Sequence, residues 1–368
     1  IDAQPEDNAF THTIIEMFMV EANEAVARLF TAMDVPHMRR IHPGPDAEAA
    51  ERLQRFSMTA GHKVPDQLDR KAIQALQTAV NANDTAAIPA ALAAAQAAMV
   101  ARIPIAHIHG GETTEGAIDE AIRHAVTKMS HLHFVATEAY RARVIQLGEA
   151  PERVWNVGAP GIDYLFRTDL LGREDLGCAL GLQLGRPTFL VTYHPVTLSR
   201  TPAATSVEEL LRALERFPDA RVIFTKANAD PQGRAINSRI EEFVADRPDS
   251  TRVFASLGQL RYLSLLTHAD VVIGNSSSGI IEAPVAGTPT VNVGDRQRGR
   301  MRAASVIDVP EDALAIAEAI ESALSPSFLE QSSKSPSPYG SGGASDRILE
   351  QLRKADLGSV LMKQFHDL

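Results

Sequence analysis

The chain has a single cysteine, Cys178, in 368 residues. That excludes an internal disulfide framework and any cysteine-based zinc cluster. A reducing cytoplasm and a buried, inert thiol are the resulting expectations. Long apolar runs are missing too. The nearest approach, AAIPAALAAAQAAMV at 86–100, is too short and too internal for a membrane span or a signal peptide. Positive charge is in deficit: 36 Lys and Arg face 46 Asp and Glu, a formal charge of -10. Such a balance argues against non-specific nucleic-acid binding and against adhesion to anionic membranes. What is present is ordinary for a soluble globular protein, with 45% hydrophobic and 22% charged residues. The length predicts two or three domains with sizeable cores.

The most informative stretch is Arg102 to Glu138, RIPIAHIHGGETTEGAIDEAIRHAVTKMSHLHFVATE. An apolar run of strand length, Ile103 to Ile108, breaks at Gly110-Gly111. Ile118, Ile122, Ala125, Val126 and Met129 then recur at helical steps, and His131 to Ala136 is β-prone again. Strand, turn, helix, strand is the grammar of a parallel α/β sheet, whose ligands bind beyond the carboxyl ends of the strands. His107, His109, Glu112, Asp119, Glu120, Arg123 and His124 crowd that end, which is the composition of a site. A solvated helix start, with acids suiting the dipole, is the plainer alternative.

Two further motifs carry chemistry. GNSSSGIIEAP follows the apolar run Ala269 to Ile273. Gly274, Ser276 and Ser277 there suit a phosphate at a helix start, and Glu282 can accept the two hydroxyls of a ribose. A serine-capped helix without a ligand is the alternative. The loop GDRQRGR adds Arg296, Arg298 and Arg300, or a merely solvated basic turn. His194 follows the expected strand Thr188 to Tyr193, where Pro195 ends it. It is either a cleft residue or a satisfied structural histidine. The other strands expected in this region are Ala220 to Thr225, Arg252 to Ala255 and Thr290 to Val293.

The first 80 residues read as helices, Thr13 to Phe30, Ala47 to Phe56 and Asp66 to Val80, with no chemistry of their own. NAFTHTIIEMFMVEANEAVARLF, VPHMRRIHPGPDAEAAERLQRF and AGHKVPDQLDRKAIQAL resemble an interior piece of the catalytic domain of ribonuclease R-type exoribonucleases. The magnesium-binding aspartates of that family lie upstream of this piece. The resemblance therefore implies no nuclease activity.

From about Ala87 to Ile348 the chain resembles the hydrolysing UDP-N-acetylglucosamine 2-epimerases of bacterial sialic-acid and legionaminic-acid synthesis. The likeness rests on HIHGGETTEGAIDEAIRH, RVWNVGAPGIDYL, TYHPVTL, KANAD, GNSSSGIIEAPVAGTPTVNVGDRQRGR and SPYGSGGASDRI, in the expected order. It implies a glycosyltransferase-B-like α/β fold, with a complete C-terminal doubly wound domain and a truncated N-terminal half-domain after a mostly helical segment. Residues 1–80 would be the ribonuclease-like fragment and 81–86 the junction. Residues 87–177 would be the partial sugar-side domain, 178–325 the nucleotide-binding domain and 326–368 a tail with helices. The implied reaction converts UDP-N-acetylglucosamine and water to N-acetylmannosamine and UDP, through elimination to a glycal and its hydration. Glu112 and Asp119 would be the acid–base pair, with one pKa pushed up by the like charge of the other. A glutamate stands in some relatives where this chain has His109, so His109 is a candidate for the same work. His194, protonated or as a hydrogen-bond partner, would help the diphosphate leave. Ser276, Ser277 and Arg296 would hold the nucleotide's phosphates and Glu282 its ribose. No cofactor or metal is implied. The partners implied are UDP-N-acetylglucosamine or a GDP analogue and possible further copies of the chain, with no nucleic acid or membrane. The family's opening strand with its Gly-Thr-Arg loop, and a strand ending in Asp-Arg, have no counterpart here, which predicts an epimerase impaired by that loss, with weak nucleotide binding and very slow or no turnover. An inactive nucleotide-binding fusion and another nucleotide-sugar enzyme, such as a glycosyltransferase, are the alternatives.

Overall fold

This computed structural model describes residues 102–115, 119–196, 201–227, 232–334 and 336–368, together with Ala95, Ala98 and Met99. The three N-terminal helices, the junction at 81–86, Ile118 and the last residues of TYHPVTL and KANAD lie outside the described residues.

Two parallel sheets organise the described chain. In the first, β1 (Ala106–Ile108) leads through α1 (Asp119–Met129) to β2 (Leu132–Val135), then through α2 (Glu138–Gln146) to β3 (Val154–Asn156), in spatial order β1-β2-β3. Strand β1 is shorter than the apolar run that announces it. Pro104 has no N–H to give a ladder. Ile105 instead takes the amide of His131 on its carbonyl at 2.8 Å and gives its own amide to the His131 ring at 3.1 Å. All four residues of β2 are buried.

Helices α3 (Pro160–Arg167) and α4 (Arg173–Leu180) lead to the second sheet. Its elements are β4 (Thr188–Thr192), α5 (Ala203–Leu214), β5 (Arg221–Thr225), α6 (Gly233–Ala245), β6 (Thr251–Phe254), α7 (Gly258–His268) and β7 (Val271–Gly274). They continue through α8 (Ser277–Ile281), α9 (Ala283–Ala286), β8 (Thr290–Val293), β9 (Val306–Val309), α10 (Ala313–Leu324), α11 (Pro326–Ser333) and α12 (Ala344–Lys354). The spatial order is β6-β5-β4-β7-β8-β9, all parallel. Every residue of β4, β7 and β8 is buried because both faces are covered, as an all-parallel sheet requires. One face packs Val207 and Leu210 of α5, Ile236 and Ile240 of α6, and Ile316 and Ile320 of α10. The other packs Leu176 of α4 and Leu263 and Leu266 of α7.

The chain enters at β4, runs outward to β6, then returns to the other side of β4 with β7. The switch of direction therefore lies between β4 and β7, and a doubly wound sheet opens its crevice there. Helix α12 comes back to the first sheet, where Ile348 packs with Leu132, Phe134 and Val157. Among the described residues no helix is long and apolar enough to cross a membrane.

Cys178 corrects one expectation. It is exposed, because Leu176, Gly177 and Leu180 supply the buried side of α4.

Candidate active site

The crevice is built from backbone first. At the end of β7, Gly274 has φ +126°, and a Cβ there would lie 2.0 Å from the Thr192 carbonyl oxygen of β4. Only glycine lets the two strands part this closely. The next residue, Asn275, locks them together. Its Oδ1 takes the His194 amide at 2.7 Å and its Nδ2 gives to the His194 carbonyl at 2.8 Å. Arg296 and Gln297 both donate to the Asn275 carbonyl, at 3.1 and 2.8 Å. His194, Asn275 and Arg296 are thereby one hydrogen-bonded unit at the switch point. Burial, with the Arg296 charge adding to it, drops the His194 imidazole to about 3. With these protein groups alone around it, His194 is therefore held uncharged near neutrality, which leaves it as a hydrogen-bonding group there.

A cavity of about 350 Å³ opens beside this unit, against Thr192, His194, Lys226, Leu257, Tyr262 and Ser276. Ser276 caps α8, taking the Ser278 amide at 3.3 Å, and Ser277 is the first helical residue. The expected helix is broken in two. Pro284 can give no amide to a continuing helix, so α8 ends after five residues and α9 restarts. Glu282 falls on that break rather than inside a helix. Its Oε2 is buried with no hydrogen-bond partner, and its Oε1 lies where a Cβ on Gly161 would come within 2.7 Å. Burial pushes its carboxyl up to about 7, against an opposing pull from the Ser278 hydroxyl.

The HIHGGE turn supplies the charged half. His109 has φ +63°, a left-handed conformation costing roughly 1–2 kcal/mol outside glycine. The turn is held by Gly111, packed so closely on the Tyr140 carbonyl that a Cβ would sit 2.4 Å from it. Glu112 is 2% exposed and meets three cationic or potentially cationic groups: His109 Nδ1 at 2.8 Å, Arg300 at 2.9 Å and Arg123 at 3.6 Å. Burial alone would raise its carboxyl, but the His109 hydrogen bond and the two guanidinium charges hold it down at about 2. Glu112 is thus not the raised member expected of a like-charge pair with Asp119, because His109, Arg123 and Arg300 hold it low; Glu282 is a second carboxyl of the site that burial does raise. Asp119 opens α1 on the same segment. Its neighbour Glu120 takes the Thr114 amide at 2.6 Å and the His124 ring at 3.0 Å, bracing the turn. The arginine loop docks here through the Glu115 amide on the Arg298 carbonyl at 3.3 Å. Of its three arginines, Arg298 is the exposed one, paired with Glu115 at 3.2 Å, while Arg300 is buried.

Sequence reading thus named His109, Glu112, His194, Ser276, Ser277, Glu282 and Arg296, and missed Asn275 and the counter-ion role of Arg123 and Arg300. Asn275 stands beside Gly274 in a motif already singled out, but nothing local marks its partner 81 residues away.

The family model for UDP-N-acetylglucosamine 2-epimerase matches residues 51–353. The chain belongs to this epimerase family. A Campylobacter jejuni member, GDP/UDP-N,N'-diacetylbacillosamine 2-epimerase (hydrolyzing), is 39% identical over 278 residues, 75% of this chain and 72% of that one. The polysialic acid biosynthesis protein P7 of Escherichia coli is 40% identical over 244 residues, 66% of this chain and 62% of its own length. The crystal structure of the Neisseria meningitidis UDP-GlcNAc 2-epimerase bound to UDP-GlcNAc superposes with a TM-score of 0.63 at 19% identity, covering 83% of this chain and 89% of that one. That likeness carries the fold, the glycosyltransferase-B-like α/β arrangement. The segments HIHGGE, GNSSSG and GDRQRGR meet around the crevice.

Proposed function

We propose that the chain is a hydrolysing 2-epimerase of nucleoside-diphosphate 2-acetamido sugars. With UDP-N-acetylglucosamine the products would be UDP and N-acetylmannosamine, the entry sugar of sialic-acid-type synthesis. Residues 178–325 would hold the nucleotide and 87–177 would face the sugar. The observation that carries the reading is the His109–Glu112 dyad beside the Glu282 carboxyl. An ionised carboxylate only accepts, so in the neutral imidazole the shared proton belongs to Nδ1 of His109, and Nε2 keeps its lone pair. A ring so oriented is a general base held by a buried acid, the logic of a carboxylate–histidine pair. On this reading Glu112 works through His109, and Asp119 is the second proton-transfer group.

The chemistry balances in two steps. A base takes the proton from C2, the C2–H electron pair forms the C1–C2 double bond, and the C1–O bond breaks with its pair leaving on the diphosphate. The glycal then takes water: hydroxyl adds to C1 and a proton returns to C2 from the opposite face. Ser276, Ser277, Arg296 and the neutral His194 would meet the departing diphosphate, and Glu282 the ribose. The short α8 leaves few free amides for a phosphate, so the serine hydroxyls and Arg296 carry that load.

The test is incubation in deuterated water with UDP- and GDP-linked N-acetylglucosamine and 2,4-diacetamido sugars, because the C. jejuni relative bears a diacetamido sugar's name. Release of nucleoside diphosphate with one deuterium at C2 of the inverted free sugar is expected. Release of unlabelled sugar with retained C2 configuration would refute epimerisation and leave plain hydrolysis or glycosyl transfer.

A further inference from the structure

Away from the reacting groups, two buried tyrosines meet on the backbone of one residue, Met301. Tyr140 comes from α2 and Tyr339 from the segment returning toward α12, and both are fully buried. The Met301 amide gives to the Tyr140 hydroxyl at 3.1 Å. The Tyr339 hydroxyl gives to the Met301 carbonyl at 3.0 Å. The two hydroxyls are 2.9 Å apart. A carbonyl cannot donate, so the Tyr339 proton is committed to it, and the remaining Tyr140 proton must point at the Tyr339 oxygen. The three bonds close a ring with every proton assigned, and such a chain polarises itself cooperatively.

We infer that Tyr140 and Tyr339 are positioning residues which hold Arg300 on Glu112 by clamping the Met301 backbone. The Arg300 guanidinium has one ion-pair partner, Glu112, while its Nε and Nη1 are buried without hydrogen bonds. A fork with one tooth engaged does not orient itself, so its backbone must do so. Arg302 fixes the Arg300 carbonyl at 2.7 Å, Tyr140 takes the N–H of that same peptide, and Tyr339 holds the carbonyl of the next one, so both peptides flanking the Met301 Cα are fixed. The same helix holds the other side of the pair. Arg143 of α2 donates to the Gly111 carbonyl, and Gly111 packs on the Tyr140 carbonyl. Both ends of the Glu112–Arg300 contact are thus referred to α2.

The groups facing Glu112 are His109 from its own turn, Arg123 from α1 and Arg300 from the arginine loop, with His107 of β1 and the Tyr339 hydroxyl at longer range. Loosening Arg300 leaves burial less opposed, and Glu112 then titrates higher. The catalytic consequence rests on the reaction proposed above, but the Glu112 titration does not. The experiment follows side-chain carboxyls by NMR in the full chain carrying carbon-13 glutamate, with Glu112→Gln assigning the signal. Glu112 is expected to stay ionised to the lowest pH at which the unaltered chain remains folded. In Tyr339→Phe and Tyr140→Phe its midpoint should rise by about one unit or more, a tenfold or greater loss of preference for the ionised form. Arg300→Met should raise it at least as far, and Tyr339→Phe should add nothing in that background. The acid limb of turnover should move with it, kcat falling and KM holding. A Glu112 midpoint that moves in Arg300→Met but in neither tyrosine variant overturns the inference, as does one unmoved by Arg300→Met. Absent turnover with these shifts intact would count against the proposed reaction alone.

Discussion

At the scale of the residue, Glu282 is the group whose chemistry is least finished. Its carboxyl sits at about 7 with one buried oxygen unpartnered. A ribose diol offers two donors, and donors favour the ionised form. Nucleotide binding should therefore release a proton below about pH 7, and affinity should rise with pH up to about 7 and then level off. Calorimetry with UDP and GDP in buffers of different ionisation enthalpy would register this. A pH-flat affinity with no buffer dependence would remove Glu282 from the ribose. Glu282→Ala should weaken binding by about 1.5–3 kcal/mol, the worth of a hydrogen bond to a charged group. The folded pKa lies above the ordinary 4.5, so Glu282 opposes folding once ionised, and stability falls as pH climbs from there to about 7. Glu282→Gln should flatten that fall in urea midpoints measured across the same interval.

At the scale of the element, the joint between β7 and α8 is the place where sequence is least free. Gly274→Ala would drive a Cβ into the Thr192 carbonyl, a contact between backbones that no rotamer relieves. The cost should be about 1–3 kcal/mol from overpacking, with roughly 1–2 kcal/mol more from the left-handed φ. An unchanged urea midpoint would contradict the close approach of β4 and β7. Nucleotide affinity should drop as well, since Asn275 and Ser276 follow directly. The same joint shows what sequence can and cannot disclose. Strands β4, β5, β6, β7 and β8 each form within about two residues of where the sequence places them; for β4, β5, β7 and β8 burial on both faces writes a continuous apolar run, whereas β6 is a partly buried edge strand. Strand β9, VIDV, is an edge strand whose residues are only partly buried, and it passes unnoticed. Ile103 to Ile108 reads longer than β1 because apolar composition is blind to Pro104's missing donor. His109, Glu112 and Glu282 were legible as chemistry-bearing types beside glycine turns. The Arg300 clamp was not, since its partners at 112, 140 and 339 are joined only by folding.

At the scale of the whole molecule, the segment around Lys363 is stitched into the first sheet. Glu149 is 2% exposed and takes His133 at 2.9 Å, Lys128 at 2.7 Å and Lys363 at 2.7 Å. Lys363 also reaches the carbonyls of Lys128 and Ser130, and the His366 amide gives to Gly148 at 3.0 Å. Burial would raise Glu149, but these donors hold it at about 2. Its folded value lies below the ordinary 4.5, so it contributes stability above that pH and loses it as pH falls toward 2. Lys363→Ala should cost about 1.5–3 kcal/mol and free the segment. Hydrogen exchange of the peptide 356–368 should quicken in the variant, and in the unaltered chain as acid protonates Glu149. Equal protection in both chains would show the segment to be held by its apolar contacts alone. The stitch also sets an order in time. Lys363 closes on Lys128 across 235 residues of chain. During synthesis the first sheet emerges early, yet one of its buried carboxylates waits for a counter-ion made 214 residues later. Domains generally fold in the order they leave the ribosome, but here the earlier sheet has Lys128 and His133 on Glu149 at once and gains Lys363 only at the end, so an interrupted translation product would carry its half of the site on a platform lacking that last tie.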